Sequence, residues 1–352
     1  MFGEIFPIIK IVFIAALSFI IAILWTPGLT HFLYKYKLCK KNRGGEKTPI
    51  FTSLHKKKEG TPTMGGSLVW ITAAFLAIVF WFLSKVFDSN SILSSLNFLT
   101  REQTLLPLGI LLFAAVIGLI DDFIGISKIG GRGRGLSIRK RFIIYAAIAI
   151  IGALWFYFKL DWDLFHIPFV GSFNIHWWYI PIFAFVVTAT ALSTNETDGL
   201  DGLAGGILLI AFSSYIIISY SQGRLELAIF CAAIAGALLS FLWFNIYPAR
   251  FFMGDTGSMS LGITLGVIAM LTNSALFLPF IGFILVIESL SVIIQVGYKK
   301  LKHRKLFLST PIHHHFEAKG WPETKVTMRF WIIAGVMAAV GLILYFIDTN
   351  LI

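Results

Sequence analysis

Charge is what this chain has least of. Only 13% of its 352 residues are Asp, Glu, Lys or Arg, against 57% hydrophobic, and the mean hydropathy is +0.82. So little polar surface cannot coat a water-soluble globule, which leaves lipid as the solvent. Cysteine is nearly absent as well. Cys39 lies in a basic loop and Cys231 in an apolar stretch, with neither a metal-ligand spacing nor the density of a disulfide scaffold, so neither is assigned a role. Strict apolar/polar alternation is missing, and with it the signature of a membrane barrel. The first apolar stretch has no small-residue cleavage site and runs into Pro27 and a basic loop, so it reads as a retained span and not a removed leader.

What is present is a series of ten apolar stretches: 10–33, 66–87, 105–120, 142–158, 178–194, 204–220, 226–244, 258–272, 277–298 and 330–347. Each is near the roughly 20 residues that cross a hydrocarbon core as a helix, the open-ended structure that satisfies its own backbone there. The expected fold is all-α: one polytopic membrane domain over 1–352 with about ten transmembrane helices.

The net charge of +11 raises the question of nucleic acid, and its distribution answers against it. The loops after spans one, three, five, seven and nine together hold 24 of the 29 Lys and Arg, among them Lys56, Lys57, Lys58, Arg132, Arg134, Arg139, Lys140, Lys299, Lys300 and Lys305. Under the positive-inside rule these loops face the cytoplasm and both termini lie outside. Setting topology and touching anionic lipid accounts for part of this charge. The unusual polar residues fall on the same side, although the charge count did not require it, and a one-sided cluster drawn from the whole chain reads as one site.

Asp121 and Asp122 close the run Ile-Gly-Leu-Ile at the expected cytoplasmic end of span three. A charge inside a membrane helix costs roughly 2.5–3.5 kcal/mol on insertion scales, so the pair calls for a partner or water. It is either an exposed helix end or a metal-binding or general-base pair whose members divide those roles. In Asn195-Glu196-Thr197-Asp198-Gly199-Leu200-Asp201-Gly202, two acids stand three apart, each followed by glycine; on a helical turn they would share a face. Glycines let amides approach phosphate and carboxylates hold Mg²⁺, whereas a small-residue packing seam would explain the glycines alone. Asn245 and Phe251-Phe252-Met253-Gly254-Asp255-Thr256-Gly257-Ser258 lie between spans seven and eight. Asp255 is there a metal carboxylate or the N-cap of span eight, and Phe252 offers a face for a nucleobase. Pro311-Ile312-His313-His314-His315-Phe316-Glu317 suits hydrogen bonding to phosphate oxygens better than a zinc site, which spreads its ligands. The loop from Lys56 to Gly66, with Lys58, Thr63 and two terminal glycines, is a plausible anion cradle without a Walker A order.

Taken in order along nearly the whole chain, these motifs resemble the phospho-N-acetylmuramoyl-pentapeptide transferase family. The histidine run, with Lys319-Gly320-Trp321-Pro322-Glu323 and Arg329-Phe330-Trp331, separates that family from related polyprenyl-phosphate sugar-1-phosphate transferases. The resemblance implies transfer of phospho-MurNAc-pentapeptide from UDP-MurNAc-pentapeptide to undecaprenyl phosphate, giving lipid I and UMP, at the bacterial inner membrane with Mg²⁺ as cofactor. Dimers are familiar among such enzymes. It implies Asp255 as the Mg²⁺ ligand and Asp121, with Asp122 beside it, as the general base or the acid that orients phosphate. Lys58, Asn195, Asp198, Gly199 and Phe252 match the substrate pocket, His313 and His314 the substrate-binding histidines, and Thr63, Asp201, Asn245, Gln295 and His315 complete the candidate binding set. The chain departs from the family pattern at Gly125, where a lysine is common, at Glu196, where a leucine is common, and at Arg134, where a lysine is usual.

Phosphoryl transfer between two polyanions is limited by charge repulsion, so positioning and cation neutralisation should supply most of the rate. Direct attack of the lipid phosphate on the β-phosphate is preferred to a covalent phospho-enzyme through Asp255 or a neighbour. The competing readings are a UDP-GlcNAc transferase and a membrane transporter. A transporter would place acids at mid-depth and usually repeat a half; Glu288 alone looks strongly buried, and no clear repeat is visible.

Overall fold

The computed structural model describes residues 2–39, 58, 60–88, 91–101, 103–127 and 136–351; Lys56, Lys57, Arg132 and Arg134 lie outside them. Each apolar stretch forms a helix: α1 (Phe2–Lys35), α2 (Ser67–Val86), α3 (Leu105–Ser127), α4 (Ile138–Lys159), α5 (Tyr179–Thr197), α6 (Leu203–Ser221), α7 (Leu225–Asn245), α8 (Gly254–Leu271), α9 (Phe283–Lys302) and, after the short α10 (Ile312–Ala318), α11 (Glu323–Leu351). Nine described helices are long and apolar enough to cross a membrane, and α9 with the preceding Ala275–Ile281 makes up to ten. Outward side chains such as Leu24, Phe158, Phe185 and Trp243 are left to lipid.

The expected ninth span is not straight. Ala275–Ile281 and α9 meet at 86° around Gly282. The apolar run through Leu278 and Ile287 carries no sign of this bend, because lipophilicity is indifferent to helix direction. A second unforeseen element joins α4 to α5: a hairpin of β1 (Leu164–Ile167) and β2 (Gly171–Asn174), with Phe165 opposite Phe173. Asp348, fully buried near the end of α11, accepts from the Phe169 amide at 2.6 Å and pairs with His166 Nε2 at 2.5 Å, which pins the hairpin to that helix.

All of α8 is buried. It packs chiefly on α3 and α5, and small residues set the spacing, as packing without a hydrophobic drive requires. Gly118 of α3 shows the need for it: a Cβ there would stand 2.5 Å from the Asp255 carbonyl oxygen and 2.6 Å from the Thr256 Cα. Backbone, not a flexible side chain, blocks that space. Gly118→Ala is therefore expected to force α3 and α8 apart, at about 1–3 kcal/mol, the usual cost of overpacking. A thermal melt in detergent checks this; an unchanged midpoint would mean that the helices do not approach so closely.

Candidate active site

Three spans end differently from their apolar runs, and the differences place the acids. α3 continues to Ser127, so Asp121 and Asp122 lie within the helix, 3% and 0% exposed, and not at its end. Phe123, Ile124 and Ile126 prolong the apolar pattern, and the acids find partners on neighbouring elements. α8 begins at Gly254, so Asp255 falls in its first turn, while Met253 is the N-cap. A carboxylate there faces the positive end of the helix dipole. α5 stops at Thr197, which puts Asp198 and Asp201 in a turn and ends the expectation that they share a helical face.

At the centre stands a residue absent from the sequence-based set. Arg141, in the first turn of α4, sets Nε 2.8 Å from Asp121 Oδ2 and Nη2 2.9 Å from Asp255 Oδ2, while Nη1 donates to Asn195 Oδ1 at 3.0 Å. One planar fork thus ties α3, α5 and α8 together, which a lysine could not do. Asn195 Nδ2 donates onward to Asp255 Oδ1 at 2.7 Å and to Ser258 Oγ at 3.0 Å. Asp121 Oδ1 accepts from the Leu136 amide at 2.5 Å. Asp122 accepts from the Thr256 amide at 3.1 Å, with the Thr63 hydroxyl 3.4 Å from its other oxygen, and Asp198 accepts from the Gly254 amide at 3.2 Å. Asp121, Asp122, Asp198, Asp255 and Asn195 therefore gather around the start of α8. In the sequence Arg141 was one more charge beside Arg139 and Lys140, at the edge of a stretch drawn from 142.

Beside this cluster lies a second. Lys58 Nζ is 2.7 Å from Asp201 Oδ1 and also pairs with Glu323, beneath the Phe252 ring, whose centroid is 5.9 Å away. Asp201 further accepts from the Ala249 amide at 3.0 Å, and its own amide donates to Glu323 at 2.6 Å. Asn245 accepts from the Gly202 amide at 2.9 Å and donates to the Phe251 carbonyl at 2.8 Å, bracing both turns. The glycines of the Lys58 loop are not an anion cradle: the Gly65 and Gly66 amides donate to the Phe252 and Met253 carbonyls at 2.8 and 2.9 Å. Those donors hold the loop against the Asp255 segment and are unavailable to phosphate.

The three histidines diverge. His313 is fully buried beside Glu288, His314 Nδ1 lies 2.7 Å from Glu317 Oε2, and His315 Nδ1 accepts from the Leu308 amide at 3.2 Å. Burial, helped by Lys319, lowers the His315 pKa, which suits this neutral acceptor role. Gln295 receives the Leu306 and Phe307 amides, each at 3.0 Å, and so shapes the loop between α9 and α10. Among the described residues no three His, Cys, Asp or Glu side chains converge on a point fit for a metal.

The whole set lies at one end of the bundle, and the β1–β2 hairpin at the other. Residues 104–273, which include Asp121 through Asp255, match the family model described as glycosyl transferase family 4. Over 342 residues, 94% of this chain and 88% of the relative, the chain is 38% identical to a phospho-N-acetylmuramoyl-pentapeptide-transferase of Chloroflexus aggregans. It is 38% identical over 344 residues, 92% and 91% of the two chains, to the enzyme of that name from Bartonella quintana. With that from Geobacillus thermodenitrificans it shares 37% over 337 residues, 94% and 97%. At that identity over nearly the full length of each relative, the chain belongs to the phospho-N-acetylmuramoyl-pentapeptide-transferase family.

Proposed function

We propose that this chain, a multi-pass protein of the bacterial inner membrane, transfers phospho-MurNAc-pentapeptide from UDP-MurNAc-pentapeptide to a membrane lipid, in finer detail undecaprenyl phosphate, giving lipid I and UMP on the cytoplasmic side. The observation that carries the reading is the Arg141 fork between Asp121 and Asp255, at the one end of the bundle where Asp122, Asn195 and Asp198 also meet. A guanidinium held by two carboxylates and an amide is preorganised, so it fixes Asp121 and Asp255 in place for the cation and phosphates of the transfer before they arrive, without reorganising as they react.

The donor set also suits Mg²⁺. Carboxylate oxygens are the hard ligands this ion takes, and it is commonly held by one or two of them together with substrate phosphates, so three converging protein ligands are not required. Asp255 would hold it, with Asp121 and Asp122 near. Bound there, Mg²⁺ would supply charge neutralisation on the transferred phosphate. The chain's own residues do the rest. Asp121 takes any proton from the attacking lipid phosphate, Asp122 fixes the start of α8 through the Thr256 amide, and Phe252 with Lys58 and Asp201 walls the nucleotide side. The phosphate-orienting histidines are His313 and His314.

The test is UMP release by purified protein in detergent, given UDP-MurNAc-pentapeptide and undecaprenyl phosphate, with and without Mg²⁺, and UDP-GlcNAc as a rival donor. Mg²⁺-dependent UMP from the first donor alone is expected. UMP from UDP-GlcNAc instead would move the chain to the sister transferases, and none from either donor would overturn the reading.

A further inference from the structure

Two acids close to the site have no role in it so far: Glu288, which sequence alone left as a buried acid, and Glu196, where the family commonly has leucine. The structure brings both to α9. Glu288 and His313 are each wholly buried, with Glu288 Oε2 3.0 Å from Nδ1 and 3.5 Å from the His313 amide. Among the described residues, neither ring nitrogen of His313 is in a hydrogen bond and Glu288 Oε1 has no hydrogen-bond partner. Buried polar groups are rarely left so, because each costs its desolvation, and a pair kept in this state asks for a reason beyond stability. One residue on, the Ser289 hydroxyl donates to Glu196 Oε2 at 2.6 Å and stands 2.8 Å from Ser193 Oγ, from which it can accept. Adjacent residues of α9 thus hold the head of α10 and the last turns of α5.

The His313 imidazole also lies on the turn that follows α5. A Cβ on Gly199 would stand 2.3 Å from Nε2 and 2.9 Å from Cε1, so the ring seats directly on the glycine. Asp198, the residue before it, accepts from the Gly254 amide beside Asp255. A path of contact therefore runs from Glu288 through the ring to the turn and on to the Asp255 loop.

We propose that Glu288 is a positioning residue for the transfer: its carboxylate holds the His313 imidazole against Gly199 and so sets the Asp198 turn beside Asp255. This rests on the transferase reading above. The carboxylate is what matters, since among the described residues its Oε2, 3.0 Å from Nδ1, is the polar atom set against the ring nitrogens.

The experiment measures steady-state UMP release by the full chain in detergent, varying UDP-MurNAc-pentapeptide, for wild type, Glu288→Gln, Glu288→Asp, His313→Ala and the Glu288→Gln/His313→Ala double variant, with a melting temperature for each. The isosteric Glu288→Gln is expected to lower kcat about tenfold or more, the range typical of carboxylates that orient a functional histidine. KM should move little, and Glu288→Asp should recover much of the loss. In the His313→Ala background Glu288→Gln should add less than about twofold, because partners on one path are not additive. Wild-type kcat in Glu288→Gln at an unchanged melting temperature overturns the proposal, as does full additivity with His313→Ala. If Glu288→Gln fails to fold, the Glu288→Asp and His313→Ala pair decides by the same criterion. Absence of UMP from the wild type would sink the transferase reading and this proposal with it, whereas a normal wild type with an undisturbed Glu288→Gln sinks this proposal alone.

Discussion

Arg141→Ala should lower UMP release by roughly 10²–10³-fold, with a fall in melting temperature. Removing one partner of a buried ion pair costs about 3–5 kcal/mol, because the other charge stays buried and uncompensated. Here two carboxylates, Asp121 and Asp255, lose the Arg141 cation at once, and Asn195 loses the donor that orients its amide. Part of the cost falls on folding and part on the barrier, where each 1.36 kcal/mol is a factor of ten. Arg141→Lys separates the two. Its ammonium keeps the charge but cannot span Asp121, Asp255 and Asn195 together, so melting should largely recover while turnover stays well below wild type. Lysine at wild-type kcat would mean that the fork geometry is irrelevant and only charge counts.

The spans were legible because lipid demands unbroken apolar runs, and each expected run has its helix. Their ends were not. Hydropathy marks what faces lipid, whereas α8 is buried throughout and can open on Gly254 and Asp255, and α11 can begin at Glu323, seven residues before its apolar run. The acids of the site were visible for the opposite reason: in a chain so poor in charge, Asp121, Asp122, Asp198 and Asp255 stand out, and the structure gathers them. Arg141 was hidden because one more cation in a basic loop is what topology already predicts; only its neighbours, dispersed through the chain, distinguish it. Gly65 and Gly66 misled in a related way. A glycine pair is equally consistent with amides offered to phosphate and with backbone zipped against backbone, and the partner carbonyls of Phe252 and Met253 lie nearly two hundred residues on. Glu288 looked like a transporter's mid-membrane acid until α10 folded His313 back upon it.

Asp255→Asn is expected to abolish Mg²⁺-dependent turnover to a similar degree, roughly 10²–10³-fold, the scale of losing one preorganised electrostatic group. The reason begins with hydrogen-bond direction. Arg141 has only donors, and it gives Nη1–H to Asn195 Oδ1 and Nη2–H to Asp255 Oδ2. Asn195 therefore turns its Nδ2 toward Asp255 Oδ1 and Ser258 Oγ. The group at 255 must accept on both sides, which a carboxylate does and an amide cannot. Turning the new amide places its NH₂ against either Arg141 or Asn195, and flipping Asn195 only moves the conflict back to Arg141. One buried donor is left facing another, at about 1–3 kcal/mol. Loss of the charge then removes both the balance to Arg141 and the oxygen that would hold the metal. Two readouts follow: a melting temperature below wild type without Mg²⁺, and UMP release that raising Mg²⁺ does not restore. Full turnover at the wild-type Mg²⁺ requirement would remove Asp255 from the metal site, whatever the melt shows. A normal melt with lost turnover would leave the metal role standing and refute the directional network.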